Sequence, residues 1–166
     1  MTEALFIADL ADAGPGATVT LGGDEGRHAV AVRRIAVGET ILIADGSGLA
    51  VRGPVTATDK AGLTIVVDEV LRTPPSPVRY VAVQALAKGD RAELAVEVLT
   101  ELGVDEIVPW QASRSIVKWT DDRTERNLAK WRSTAREASK QSRRFRVPVV
   151  SLPMRDTRSP VRRRSN

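Results

Sequence analysis

A chain of 166 residues has room for one ordinary domain or two small ones, and 42% hydrophobic with 28% charged residues is the composition of a water-soluble globular protein. No apolar run approaches the roughly 18–20 residues of a membrane span, the N-terminus carries acids where a secretory leader would carry cations, and cysteine is absent. Disulfides and thiolate metal sites are excluded, the single histidine (His28) argues against zinc or a Ser-His-Asp triad, and a cytoplasmic protein without metal is expected. The net charge of +4 is unevenly placed. Residues 132–166 hold 11 Lys/Arg against 2 Asp/Glu, leaving residues 1–131 with 14 against 19. A basic last fifth predicts either a local polyanion contact or a solvated basic helix face with a tail.

From the N-terminus, ALFIAD, ATVTL, ETILIADGSG, LAVRGPVTA and GLTIVVDEV read as short strands punctuated by Gly and Asp. DGSG at 45–48 has hairpin-turn chemistry. Between the strands DEGRHAVAVRRI predicts one short helix, capped by Asp24, with Ala29, Val32 and Ile35 as its inward stripe. A small β-barrel with one helix is expected over residues 1–73. The three prolines of TPPSP (73–77) exclude a helix or central strand and mark a boundary.

Beyond it the pattern alternates. RYVAVQAL predicts a strand buried on both faces, and GDRAELAVEVLTELGV a helix with Asp90 and Glu93 as capping box and Gly103 as left-handed stop. Its inward stripe reads Leu94, Ala95, Val98, Leu99 and Leu102. EIVPW supplies a second strand, parallel to the first. A second helix from about Arg123 to Arg144 turns Leu128, Trp131, Ala135, Ala138 and Ser142 inward, and RVPVV is a third strand candidate. Residues 78–152 thus form an α/β domain, incomplete by the usual standard of helices on both sheet faces. Residues 153–166 are expected to be a disordered basic tail.

No GxGxxG, P-loop, HExxH or paired metal-spaced acid is present, which disfavours a conventional dinucleotide or NTP enzyme. His28, beside Arg33 and Arg34, is either a surface histidine or an RNA contact. Lys88, in the turn ALAKGD, stands at the carboxyl edge of a parallel strand, where α/β sheets bind ligands, or is a solvated loop lysine. Trp110, Trp119 and Trp131 read as packing residues. The stretch KQSRRFRVP at 140–148 gathers Lys140, Arg143, Arg144 and Arg146, cations either for RNA phosphate or on a solvated helix face.

QALAKGDRAELAVEVLTELGVDEIVPWQASRSIVKW, then ERNLAKWRSTAREASKQSRRFRVPVV, resembles the ribosomal RNA small subunit methyltransferase E family, and HAVAVRRIAVGETILIADGSG is similar to its N-terminal pattern. The resemblance implies a PUA-like β-barrel followed by a SPOUT-class (α/β knot) domain. It further implies a homodimer, S-adenosylmethionine as methyl donor, and transfer to N3 of a uridine in 16S rRNA. By position it adds Lys88, Arg91, Glu101, Arg114, Gln141, Ser142 and Arg144 as recurrent residues of the catalytic domain's first half, and His28, Arg33 and Arg34 as barrel residues holding rRNA. No catalytic base is assigned. The family's G-P-E-G-G loop and L-G-x-R-I-L-R-x-E-T-A segment are not found, so an incomplete SPOUT domain without donor-binding motifs is expected, leaving an RNA-binding remnant or a non-functional fragment as alternatives.

Overall fold

The computed structural model describes residues 3–11 and 13–155. These residues fall into two compact units. One runs from the N-terminus to Pro77 and takes in Ser139–Val147; the other comprises Val78–Ala138 and the residues from Pro148 onward.

The first unit is a six-stranded sheet in the order β1 (Leu5–Ile7), β3 (Thr40–Ala44), β4 (Leu49–Thr58), β5 (Leu63–Val66), β2 (Thr18–Leu21), with β6 (Glu69–Arg72) added on β4. β4 is ten residues long and does two jobs: its first half pairs with β3 and β6, its second half with β5. A register shift between Val55 and Ala57 separates the halves. Such a bulge sharpens the bend of a strand, and the sheet curls around one core of Phe6, Val19, Leu21, Ile41, Ile43, Val51, Val55, Leu63 and Ile65. Alternation explains the burial: every second residue of β2 is inward, in the pattern exposed, buried, exposed, buried. Gly53 is required by proximity, because a β-carbon there would lie 1.9 Å from the Val66 carbonyl oxygen. The DGSG hairpin forms as expected, with the Asp45 carboxylate accepting the Ser47 and Leu49 amides at 2.7 and 3.0 Å.

The short helix departs from the expectation. Only Gly23–Arg27 (α1) is α-helical, and its N-cap is Gly22 rather than Asp24. His28–Val32 follows as a π-helical turn, closed by Arg33 N–H to the His28 carbonyl at 3.0 Å. The wider turn shifts the helical phase. Ala29 and Ile35 stay buried, but Val32, expected inward, is 65% exposed.

The second unit contains a parallel sheet, β10 (Met154–Arg155), β8 (Glu106–Gln111), β7 (Val81–Ala85), with β9 (Val149–Val150) also on β8, and two helices, α2 (Arg91–Glu101) and α3 (Asp121–Gln141). β7 is not buried on both faces. Ala82 and Gln84, in register with Ile107 and Pro109, face inward, while Val81, Val83 and Ala85 are exposed. Apolar continuity predicted two covered faces; among the described residues one is left open. In α2, too, Ala92, Val96 and Thr100 are buried, whereas Leu94 and Leu102 of the expected stripe are 56% and 77% exposed. Asp90 makes no side-chain cap bond, but the stop is as read: Gly103 is left-handed, with Val104 N–H to Leu99 O and Gly103 N–H to Thr100 O. Leu128, Trp131, Ala135 and Ala138 of α3 are buried, and Trp131 meets Trp119 edge to face with ring centroids 5.3 Å apart.

The tail expectation needs correction at its start. Met154 and Arg155 extend the sheet, opposite Trp110 and Gln111, because β8 still offers them backbone partners. Residues 156–166 lie outside the described residues.

Candidate nucleic-acid interface

In the first unit the π-helical turn brings His28 and Arg33 one turn apart, and both are exposed. Arg34 follows with φ +56°, a left-handed conformation that a β-carbon disfavours. Neither Arg33 nor Arg34 uses its guanidinium on a partner among the described residues, so both are available to an anion. Beside them opens a cleft of about 640 Å³ whose wall includes Ala4, Val32, Arg33, Ile35, Glu39 and Thr40.

The segment 139–147 is placed differently from the RNA-facing helix end expected of it. α3 ends in a second left-handed stop, with Arg143 at φ +57°, Arg144 N–H to Ser139 O and Arg143 N–H to Lys140 O. The chain then runs as a strap over the hairpin turn: Gly48 N–H donates to Phe145 O at 3.0 Å and Val147 N–H to Gly46 O at 2.9 Å. Phe145 packs against Leu5, Leu42, Ala44 and Ala50. Lys140 is 8% exposed and donates to Glu25 at 3.0 Å; Arg143 donates to the Glu3 carbonyl; Arg146 donates to the Thr73 carbonyl at 2.9 and 3.2 Å. Arg144 is half-buried and Ser142 lies just past the helix. Three of the four cations in KQSRRFRVP therefore already serve the first unit. Glu25, Glu3 and Thr73 carry no sequence signal of this role, since they lie 115, 140 and 73 residues from their partners.

Two carboxylates of this unit are perturbed. Burial pushes the Asp45 carboxyl up, but the bonds from the Ser47 hydroxyl and from the backbone amides of Ser47, Leu49 and Gly48 outweigh it and hold the group below its ordinary value. Glu3 is held low by its hydrogen bonds and charge pairing with Arg52, at 2.9 and 3.1 Å from Nε.

In the second unit Lys88, Arg91 and Arg114 are exposed and unpaired among the described residues. Lys88 and Arg91 flank the turn between β7 and α2; Arg114 lies in the loop after β8. The loop is pinned at its far end by Trp119 N–H to the Gln111 side-chain carbonyl at 2.7 Å. At the carboxyl edge of β7 a small cleft of about 150 Å³ is lined by residues that include Leu86, Gly89, Trp119, Asn127 and Trp131. Its titratable groups, Glu93 and Lys130, pair with each other at 2.7 Å. Asn127 and Lys130 carry no motif that marks them as lining a cleft. Among the described residues no cluster of three or more metal-ligating side chains occurs, and no helix is long and apolar enough to cross a membrane.

A curled β unit carrying exposed arginines, joined in sequence to a parallel α/β unit, matches two family models in order. Residues 21–68 match an RNA methyltransferase PUA domain and residues 74–162 an RNA methyltransferase domain, the second spanning more than half of the chain. The chain is 41% identical over 159 residues to the ribosomal RNA small subunit methyltransferase E of Mycobacterium bovis, and 30% identical over 134 residues to that of Bacillus subtilis. These alignments cover 93% and 80% of this chain, and 60% and 52% of the relatives. The crystal structure of the Neisseria gonorrhoeae enzyme bound to S-adenosyl methionine superimposes with a TM-score of 0.82 at 27% identity, over 96% of this chain and 67% of that one. The chain belongs to the ribosomal RNA small subunit methyltransferase E family. It spans about 60% of the length of its Mycobacterium bovis relative.

Proposed function

We propose that this chain serves the methylation of N3 of a uridine in 16S rRNA, in the cytoplasm and as a homodimer, with its barrel and the edge of its α/β unit supplying the grip on RNA. The observation that carries the reading is the match to a PUA domain and a methyltransferase domain in sequence order. Of the residues expected to contact RNA, Arg33, Arg34, Lys88, Arg91 and Arg114 are exposed and left over for phosphate, with His28 beside Arg33 and Arg34. Lys140, Arg143 and Arg146 hold the strap, and Arg144 is half-buried beside them.

In the relatives' reaction class, S-adenosylmethionine supplies an electrophilic methyl group, and the uridine N3 proton leaves as nitrogen takes it. The cleft at the carboxyl edge of β7, about 150 Å³, is smaller than the roughly 300 Å³ of sites that bury a ligand of this size. This cleft by itself is too small for the donor, and its lining acid Glu93 is paired with Lys130 at 2.7 Å. The supported role of these residues is to bind and orient RNA. That same small cleft favours, as a second reading, an RNA-binding chain that does not itself catalyse.

The test has two stages. Binding to 16S rRNA is measured against salt; five phosphate contacts give a log–log slope of about −3.5 to −4.5, and a salt-independent or absent interaction overturns the RNA reading. Methyl-labelled S-adenosylmethionine is then offered with unmodified small subunits. Label at uridine N3 supports catalysis, whereas a folded, RNA-binding chain that transfers none supports the second reading.

A further inference from the structure

Three features of the first unit converge on one place. The π-helical turn His28–Val32 inserts an extra residue, and π-turns of this kind gather at functional sites. Arg34 holds a left-handed backbone without being glycine. The cleft of about 640 Å³ opens beside the π-turn, with Arg33 in its wall and Arg34 next to it in sequence, and is within the size range of small-ligand sites. The π-turn contributes to its apolar wall, since Val32 is left 65% exposed there, alongside Ala4 and Ile35.

We infer that this cleft is a pocket for a single unstacked nucleotide of RNA, its base lying on Val32 and Ala4 and its phosphate on Arg33 and Arg34. The inference rests on the RNA-binding reading above and specifies where a base, rather than only a phosphate, is held. The chemistry is complementary. Glu39 accepts the Ala36 N–H at 2.8 Å through one carboxylate oxygen, and a carboxylate has further lone pairs for a base N–H; Thr40 adds a hydroxyl. Because every base carries such a donor, the pocket senses the presence of a base and not its identity. Glu3, which also lines the cleft, does not repel the phosphate as a free acid would, since it is bonded to Arg52. A duplex cannot enter, because its bases are stacked and their faces are unavailable.

The experiment uses the full chain and fluorescein-labelled ten-nucleotide RNA, once with mixed sequence and once with the central nucleotides abasic, so that the phosphates are the same. The base-bearing strand is expected to bind up to about tenfold tighter, from the apolar area covered on Val32 and Ala4 at about 25 cal/mol per Å². Val32→Glu and the milder Val32→Ser, both at an exposed position, remove that preference, while Arg33→Ala weakens both strands alike. Equal affinity of the wild type for both strands, with binding intact, overturns the pocket and leaves the RNA reading standing. A preference that survives both Val32 substitutions also overturns it, since the base is then held elsewhere. No binding of either strand sinks the RNA reading and the pocket with it.

Discussion

Removing the Lys140 ammonium tests the structure at an ion pair that is almost wholly buried. Lys140 Nζ lies 3.0 Å from Glu25 Oε1, with the two side chains only 8% and 16% exposed. At an effective dielectric near 20 this separation gives a gross attraction of about 5 kcal/mol. Desolvation of both groups offsets much of it in the intact protein, but deleting one partner leaves the other's cost in place. Lys140→Met keeps the aliphatic stem and is expected to destabilise the first unit by about 2–4 kcal/mol, read from urea unfolding followed by circular dichroism. Glu25→Gln and the double variant complete a cycle, in which a coupling of about 1.5–3 kcal/mol is expected. A loss below about 0.5 kcal/mol with no coupling would refute the reasoning. If stability were unchanged while RNA affinity fell and its salt slope became shallower by about one unit, Lys140 would be a phosphate ligand as its sequence position suggested.

Other perturbations follow from the same geometry. The depressed carboxyls of Asp45 and Glu3 contribute stability above their unfolded pKa values, near about 4, and lose it as pH falls through the lower folded values. Melting temperature should therefore drop between about pH 4 and pH 2, and less steeply in Asp45→Asn; parallel curves would contradict the assignment. Gly53→Ala drives a methyl group into the Val66 carbonyl and should cost about 2–3 kcal/mol in urea unfolding, a neutral result showing that β4 and β5 can separate at no cost. Trp131→Ala empties the centre of the α3 packing and should cost about 3–5 kcal/mol. The near-UV dichroism of the Trp119–Trp131 pair should vanish equally in Trp119→Phe and Trp131→Phe; a signal kept by either would show that the rings do not couple.

What was legible in the sequence was what local pattern governs. Alternating apolar residues located β2 through β5, DGSG located the hairpin, and Gly103 located the end of α2, because each depends on neighbours a few residues away. The end of α3 uses the same left-handed stop as α2, yet Arg143 stands where glycine would have announced it. The π-turn was hidden for a related reason. HAVAV has no residue that forbids an ordinary α-turn, and only the demand that Ala29 and Ile35 share one core fixes the wider winding. β7 misled because a run of valines reads as doubly buried, whereas burial of its second face depends on whatever lies against it. The cleft of the first unit left no motif, since its lining comes from the start of the chain and from residues 32–40.

The charge map carries the deeper lesson about the site. Residues 132–166 hold the chain's basic excess, and that excess pointed to the interface. Among the described residues of that stretch, Arg132 pairs with Glu125, Lys140 with Glu25 and Arg155 with Asp121, while Arg143 and Arg146 cap backbone carbonyls. Arg136 and Arg144 are not without partners either. Cations that are exposed and unpaired among the described residues, Arg33, Arg34, Lys88, Arg91 and Arg114 among them, lie instead in segments that look unremarkable in sum. A run of arginines in sequence measures how much charge is present; which of it can reach phosphate is decided by the carboxylates and carbonyls that the fold brings within 3 Å. The strap cations and the exposed cations should therefore separate in experiment, the first set acting on stability and the second on the salt dependence of RNA binding.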